Sequence, residues 1–177
     1  MIEVEVKACT DLETARKMLE DEGARFIETE HHFDSYYNAP HRDFASTDEA
    51  LRIRSRDNKA FFTYKGKKMD SVSKTREEFE TPVDPENMRN ILLSLGFREY
   101  GIVEKEREVY KLDDFVIALD AVEQLGEFIE VELESESGSD IEHNSNRIFE
   151  FLKKLGIEEK DSIRKSYLEL VMEEKVK

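Results

Sequence analysis

A single cysteine, Cys9, stands in the 177 residues, so no internal disulfide can form and a reducing compartment is expected. Tryptophan is absent, and three prolines and seven glycines leave no Pro/Gly/Ser-rich linker, which favours one domain over residues 1–177. Basic residues are in deficit, 27 Lys and Arg against 42 Asp and Glu. The resulting net charge of −15 excludes nonspecific binding to nucleic acid or an anionic membrane, but it permits a local basic site. No apolar run approaches a membrane span, and the first residues read as a strand rather than a signal peptide, so a cytoplasmic location is expected. Also missing are a Walker-type glycine loop and a Gly-x-Ser-x-Gly elbow, which removes the commonest nucleotide-binding and esterase designs. The four histidines offer no metal spacing: His31 and His32 are adjacent and point to opposite faces of a strand, while His41 and His143 fall near loops or helix surface.

What the chain has instead is charge arranged in rows. Met1 to Lys7 alternates strictly, placing Ile2, Val4 and Val6 on one face of a strand and Glu3, Glu5 and Lys7 on the other. The same alternation sets Arg52 and Arg54 opposite Leu51 and Ile53, and Lys105 and Arg107 opposite Glu104, Glu106 and Glu108. It sets Asp120 in line with Ala118 and Val116, and Glu130, Glu132 and Glu134 opposite Ile129, Val131 and Leu133. Arg76, Glu78 and Glu80 share a further face. If the apolar rows pack on helices, the charged rows gather on the other surface of the sheet, and a sheet that curls encloses them in a polar lumen. Glu104, Glu106 and Glu108 are assigned to solvent.

Between these rows lie three strong helix patterns and one short one. Thr10-Asp-Leu-Glu13 has the form of a capping box, followed by Leu12, Ala15, Met18 and Leu19 at helical spacing and Gly23 as a stop. Asp84-Pro85 opens a second helix with a stripe of Met88, Ile91, Leu92 and Leu95 before Gly96. Ile141 to Leu155 gives a third, and a short helix is expected over 162–173. Strands are expected at 26–37, 50–56, 60–65, 75–81, 100–110, 114–120 and 127–134, with a loop at 38–49 and a mobile loop at 66–74 that holds Lys67, Lys68 and Lys74. Helix, glycine and strand at Gly23 are echoed at Gly96, which suggests one sheet built from two similar halves. The aromatic cluster Phe33, Tyr36 and Tyr37 reads as core, with Tyr36 able to face the lumen. Cys9 has no evident catalytic partner and reads as structural.

An isolated buried charge is very costly, so a lumen of both signs must be wet and supply partners for its charges. A polyphosphate with a divalent metal satisfies both, since Arg and Lys bind phosphate oxygens while carboxylates hold Mg2+ or Mn2+. That combination points to phosphoryl or nucleotidyl transfer. A noncatalytic nucleotide- or polyphosphate-binding module is the competing reading, although pure anion binding would not require the carboxylates.

The ordered set Glu3-x-Glu5-x-Lys7, Asp34-x-Tyr36, Ala50-Leu-Arg-Ile-Arg54, Lys65-Gly66, Arg76-x-Glu78-x-Glu80, Lys105-x-Arg107, Leu119-Asp120, Glu130-x-Glu132 and Lys165-Ser-Tyr167 resembles the CYTH superfamily of triphosphate tunnel metalloenzymes. Residues 34–54 are most similar to the class IV adenylyl cyclase branch, with thiamine triphosphatase as a relation. The resemblance implies an α+β fold: a closed eight-stranded antiparallel β-barrel with a polar lumen and helices packed outside. It implies metal binding by Glu3 and Glu5 with Glu130 or Glu132, and a triphosphate gripped by Lys7, Arg52, Arg54, Lys65, Arg76, Lys105 and Arg107, with Lys165 near the tunnel mouth. Lys7, Glu78 and Asp120 would be the catalytic set, Asp120 and Glu78 holding a second metal or orienting the attacking group. Either ATP is converted to cyclic AMP and pyrophosphate, or water attacks the terminal phosphorus of thiamine triphosphate or tripolyphosphate. A homodimer is a further expectation, because only two residues precede Glu3 to cap that end of the tunnel.

Overall fold

The computed structural model describes residues 2–68, 76–135 and 141–175. Eight strands and four α-helices follow one another as β1 (Ile2–Cys9), α1 (Leu12–Asp21), β2 (Arg25–Asn38), β3 (Ala50–Arg56), β4 (Lys59–Lys68), β5 (Arg76–Pro82), α2 (Pro85–Ser94), β6 (Arg98–Leu112), β7 (Phe115–Val122), β8 (Gly126–Ser135), α3 (Ile141–Leu152) and α4 (Tyr167–Glu174). All ladders are antiparallel, and the strands lie side by side in the order β1-β8-β7-β6-β2-β3-β4-β5. That order explains the internal repeat. The meanders β2-β3-β4 and β6-β7-β8 sit back to back through the β2–β6 ladder, and the strand that opens each half is given to the outer edge of the other half. After α1 and α2 the chain reverses at Gly23 and Gly96, whose φ of +77° and +87° only glycine adopts without strain.

The alternating rows sort onto the two faces as their period demands. Val4, Val6, Ile117, Leu119, Ile129, Val131 and Leu133 face outward and are buried beneath Leu12, Ala15 and Leu19 of α1 and Ile148, Phe151 and Leu152 of α3. Each fully buried Leu or Ile here contributes roughly 1.5–3 kcal/mol. A smaller outer cluster holds α2 on β3 through Leu92, Leu51, Ile53, Tyr37 and Phe44. The expected stripe of α2 is only partly buried, however: Ile91 and Leu95 remain 51% and 64% exposed. α2 meets the sheet on one narrow line, so Leu92 alone is fully covered. α1 is capped by Asp11, whose carboxylate accepts from the Thr14 N–H at 2.8 Å, rather than by Thr10. α4 begins at Tyr167, later than expected, because a 3-10 turn over Glu159–Asp161 and an extended stretch precede it. Cys9 is exposed.

The expected antiparallel sheet of eight strands is borne out, while its closure into a barrel is not shown: the strand order among the described residues runs open from β1 to β5. Among the described residues no ladder joins β1 to β5, and the free edge of β1 is taken at Lys7, whose carbonyl accepts the Ile163 N–H at 2.7 Å. The C-terminal segment thus stands where a closing strand would pair. Curling is nonetheless pronounced. Lys65 on β4 is electrostatically stabilised by Glu5 on β1, six strands away in sheet order. On a flat sheet that distance would be roughly 29 Å, well beyond the reach of such a pair in salt. α4 then packs into one end of the concave side, with Tyr167 and Val171 buried against Val103, Val122 and Phe128. Gly101 makes this close approach possible, since a Cβ there would stand 2.7 Å from Leu168 Cδ1. The loop expected at 66–74 is strand as far as Lys68, and residues 69–75, including Lys74, lie outside the described part.

Leu19 is fully buried and Leu95 is not, so the two locate the core. Leu19→Ala is expected to cost about 2–5 kcal/mol in chemical denaturation and Leu95→Ala less than about 0.5 kcal/mol. Equal losses would place the core elsewhere.

Candidate active site

Cross-strand register gathers the charged rows on the concave face. Lys7 lies opposite Glu130 and Glu5 opposite Glu132; Arg107 lies between Asp120 and Glu30; His32 lies between Lys105 and Arg56; Asp34 lies opposite Arg54; and Lys65 lies opposite Glu78. Glu3 and Arg76 are placed by backbone alone, opposite Glu134 and Lys68, and their side chains lie outside the described part.

At the α4 end the charges close around Asp120, which has no solvent exposure. Lys105 Nζ donates to Oδ2 at 2.9 Å, Arg107 donates from Nε and Nη2 at 2.7 and 2.6 Å, and the Tyr167 hydroxyl donates at 2.7 Å. Burial pushes the Asp120 carboxyl upward, but Arg107 and Lys105 outweigh it and hold it below its ordinary value. Burial, with Arg107 alongside, lowers Lys105 to about 8. Tyr167 stays protonated, raised by burial and by Glu130 and Asp120. Its ring lies under two cations, 4.1 Å from Lys7 Nζ and 4.8 Å from Lys105 Nζ. Arg107 also bonds Glu130, and Lys7 Nζ stands 3.9 Å from the same carboxylate.

The other half is built on Asp34. Arg54 grips it with a planar fork, Nε to Oδ1 at 2.7 Å and Nη2 to Oδ2 at 2.6 Å, and Arg52 Nη1 stands 3.5 Å from Oδ2. Burial opposes ionisation of Asp34, yet Arg54 and Arg52 drive it well below the usual carboxylate range. Further along the sheet Lys65 Nζ donates to Glu78 Oε1 at 2.5 Å, and Thr63 donates to Glu80 at 2.8 Å. Burial lowers the Lys65 pKa, with Arg52 adding to it.

Of the residues singled out from the sequence, Lys7, Arg52, Arg54, Lys65, Lys105, Arg107, Glu5, Glu78, Asp120, Glu130 and Glu132 share this face. Lys165 does not join them: it is exposed on the flank of α4 and pairs with Glu173 at 2.5 Å. Its neighbour Arg164 instead lines a cavity of about 520 Å³ that opens beside Glu5 and Lys7. Glu108, expected in solvent, is half-buried and accepts from Arg16 at 2.8 Å and from Tyr110 at 2.8 Å. Glu30 and His32 extend the row that holds Asp34 of the Asp34-x-Tyr36 motif. Its period-two spacing is as regular as that of Glu3 and Glu5. His32 Nε2 bonds Glu30 Oε2 at 2.7 Å, and Arg56 donates to the other oxygen of Glu30 at 2.6 Å.

Carboxylate oxygens are the right donors for a hard divalent cation. Glu5 and Glu132 face each other across one ladder position, and Glu130 is bonded by Arg107 with Lys7 3.9 Å away. Among the described residues no three His, Cys, Asp or Glu side chains are arranged to hold a metal by themselves. A cation at Glu5 and Glu132 would therefore draw further oxygens from water or substrate.

The concave face of the curled antiparallel sheet thus carries guanidinium forks, ammonium groups and facing carboxylates. The chain belongs to the CYTH domain family, which it matches over residues 1–167. It is 46% identical over 175 residues to the putative adenylate cyclase MJ0240 of Methanocaldococcus jannaschii, covering 96% of this chain and 98% of that protein. The PH1819 protein from Pyrococcus horikoshii has the same fold, with a TM-score of 0.88, 41% identity and coverage of 97% and 99% of the two chains. The fold extends to a Hippeastrum structure described as a putative adenylyl cyclase with a dominant triphosphatase activity, at a TM-score of 0.70, 21% identity and coverage of 98% and 95%. No helix of the described residues is long and apolar enough to cross a membrane.

His32 is lowered to about 3 by burial and by Arg54, Lys105 and Arg107. The folded state then resists a proton that the unfolded chain accepts below pH 6.5. Stability from this group is complete above that pH and falls, as the solution is acidified toward 3, by about 1.4 kcal/mol per pH unit. Glu30, raised by burial, acts in the opposite sense, so comparison with His32→Gln isolates the imidazole. Denaturation series at pH 7, 6 and 5 should show a shallower slope in His32→Gln, and the His32 NMR resonances should not titrate above pH 5. A titration near 6.5 would contradict this placement.

Proposed function

We propose that the protein is a metal-dependent enzyme that binds a triphosphate along the concave face, with adenylyl cyclase activity, ATP to cyclic AMP and pyrophosphate, as the leading reading. The observation that carries it is the Arg54–Asp34 fork next to Arg52, with Arg107, Lys105, Lys7 and Lys65 on the same surface. Oriented guanidinium groups match phosphate oxygens two at a time. Asp34 and Asp120 hold these cations in place before substrate arrives, so little reorganisation is required when phosphate replaces water. Mg2+ or Mn2+ at Glu5 and Glu132, with Glu3, would supply Lewis-acid stabilisation of the phosphate oxygens. In the cyclase reaction the ribose 3′-hydroxyl gives up its proton to solvent as its oxygen bonds to the α-phosphorus, the bond from that phosphorus to the bridging oxygen breaks, and pyrophosphate carries away the charge. Lys7, Lys105 and Arg107 would stabilise that leaving group. The 46% identical relative named as a putative adenylate cyclase supports this reading.

Hydrolysis is the second reading, favoured by the triphosphatase activity in the description of the Hippeastrum protein of the same fold. There water replaces the ribose hydroxyl and attacks the terminal phosphorus of ATP, thiamine triphosphate or tripolyphosphate.

Purified protein incubated with each triphosphate and Mg2+ or Mn2+ is expected to form cyclic AMP and pyrophosphate from ATP. A chelator should abolish the activity, and Glu5→Ala or Arg54→Ala should lower kcat/KM by about 100-fold or more. Orthophosphate as the product would establish the hydrolase. Binding without turnover would reduce the protein to a polyphosphate-binding module, and full activity in Glu5→Ala would remove the metal assignment.

A further inference from the structure

Buried polar side chains almost always have a hydrogen-bond partner, so one that finds none within the fold marks a place for a ligand. Among the described residues two buried side-chain atoms are without a partner, His32 Nδ1 and Arg52 Nε. Both belong to the concave face. Arg52 stands beside Asp34, and His32 lies one step further along the same row of β2, between Lys105 of β6 and Arg56 of β3.

The protonation of the His32 ring is set by its other nitrogen. Nε2 lies 2.7 Å from Glu30 Oε2, and Arg56 donates to Glu30 Oε1 at 2.6 Å. An arginine on one oxygen keeps Glu30 a carboxylate, so the network assigns the N–H to Nε2 and leaves Nδ1 as a bare lone pair. The surrounding charges keep it bare. Arg54 on β3 and Lys105 and Arg107 on β6 repel a second proton, and on β2 only Asp34 favours one. A cationic ring would also need an acceptor at Nδ1, and the carboxylates nearby are taken. Asp34 is held by Arg54 and Arg52, Glu30 by Arg56 and Nε2 itself, and Asp120 by Lys105, Arg107 and Tyr167.

A polyphosphate reverses both conditions together. Its charge offsets Arg54, Lys105 and Arg107, and its oxygens are acceptors where the fold supplies none. We infer that His32 is a proton-binding site coupled to the phosphate chain: the ring is neutral in the free protein, and when a polyphosphate binds, Nδ1 takes a proton from solvent and donates to a phosphate oxygen. This rests on the phosphate reading of the concave face and adds to it a cation that only the bound state carries. A histidine that merely steadied Glu30 would stay neutral in both states.

The sign of the pH effect follows. In the free protein the ring titrates at about 3, and neutralising the three cations moves it back toward its ordinary 6.5. Binding therefore takes up a proton between these values, and affinity rises as the solution is acidified through that range.

The test uses the full chain with isotope-labelled histidines, titrated with inorganic tripolyphosphate and with Ca2+ in place of the catalytic cation. The His32 signals are assigned by their loss in His32→Gln. Without ligand, the Nδ1 signal should remain that of an unprotonated ring nitrogen down to pH 5; in the complex it should become that of a protonated one between pH 7 and 5. Calorimetry should show tripolyphosphate binding tightening by about tenfold more from pH 7 to 5 in the unaltered protein than in His32→Gln. That comparison cancels protonation of the ligand and of the lysines, which both proteins share, and circular dichroism checks the fold of the variant. The spectrum of the unaltered protein decides the question even where the variant folds poorly. Bound tripolyphosphate with Nδ1 still unprotonated at pH 5, or the same pH dependence in His32→Gln, would overturn the inference and leave the phosphate reading intact. No binding of tripolyphosphate to the unaltered protein would overturn both.

Discussion

Asp120 is the point on which the concave face depends. A carboxylate with no exposure is tolerable only because Lys105, both arms of Arg107 and the Tyr167 hydroxyl converge on it. The same contacts fix the cations. Lys105 and Arg107 are kept at a set spacing along β6, and Tyr167 ties α4, the last helix, to β7, so the end of the chain is held against the site. Asp34 performs the same service for Arg52 and Arg54 on the far side of β2. Mutual compensation of this kind lets a protein of net charge −15 gather many cations on one surface, each beside a carboxylate.

The topology gives these pairs their place. Because β2 and β6 lie back to back at the middle of the sheet, the row Glu30, His32, Asp34 meets the row Lys105, Arg107 on one side and Arg52, Arg54, Arg56 on the other. Exchange of the opening strands between the halves brings Glu5 and Lys7 beside Glu132 and Glu130, far from their sequence neighbours. A polyanion lying along the curl would therefore meet basic groups from both halves and carboxylates from β1 and β8.

Much of this was legible in the sequence because a strand's period of two is rigid: once Val4, Val6, Ile129 and Val131 are assigned to the core, Glu5, Lys7, Glu130 and Glu132 have no other face. What stayed hidden depended on tertiary context. Closure of the sheet is decided by which segment reaches the free edge of β1, and the Ile163–Lys7 hydrogen bond has no local signature. Lys165 and Arg164 differ by one position in an extended stretch, and only the path of the chain into α4 turns Arg164 toward the cavity beside Glu5. His32 carried the right spacing but was judged by residue type, and its burial among cations comes from the neighbouring strands.

The central claim, that one triphosphate with a divalent cation lies along the concave face, is tested most directly by a crystal structure with Mn2+ and an ATP analogue whose α,β-bridging oxygen is replaced by methylene. The account predicts anomalous density for Mn2+ between Glu5 and Glu132 and phosphate oxygens on Arg52, Arg54 and Arg107. Phosphate or Mn2+ found only on the outer surface, with the Asp34 and Asp120 clusters unapproached, would contradict it.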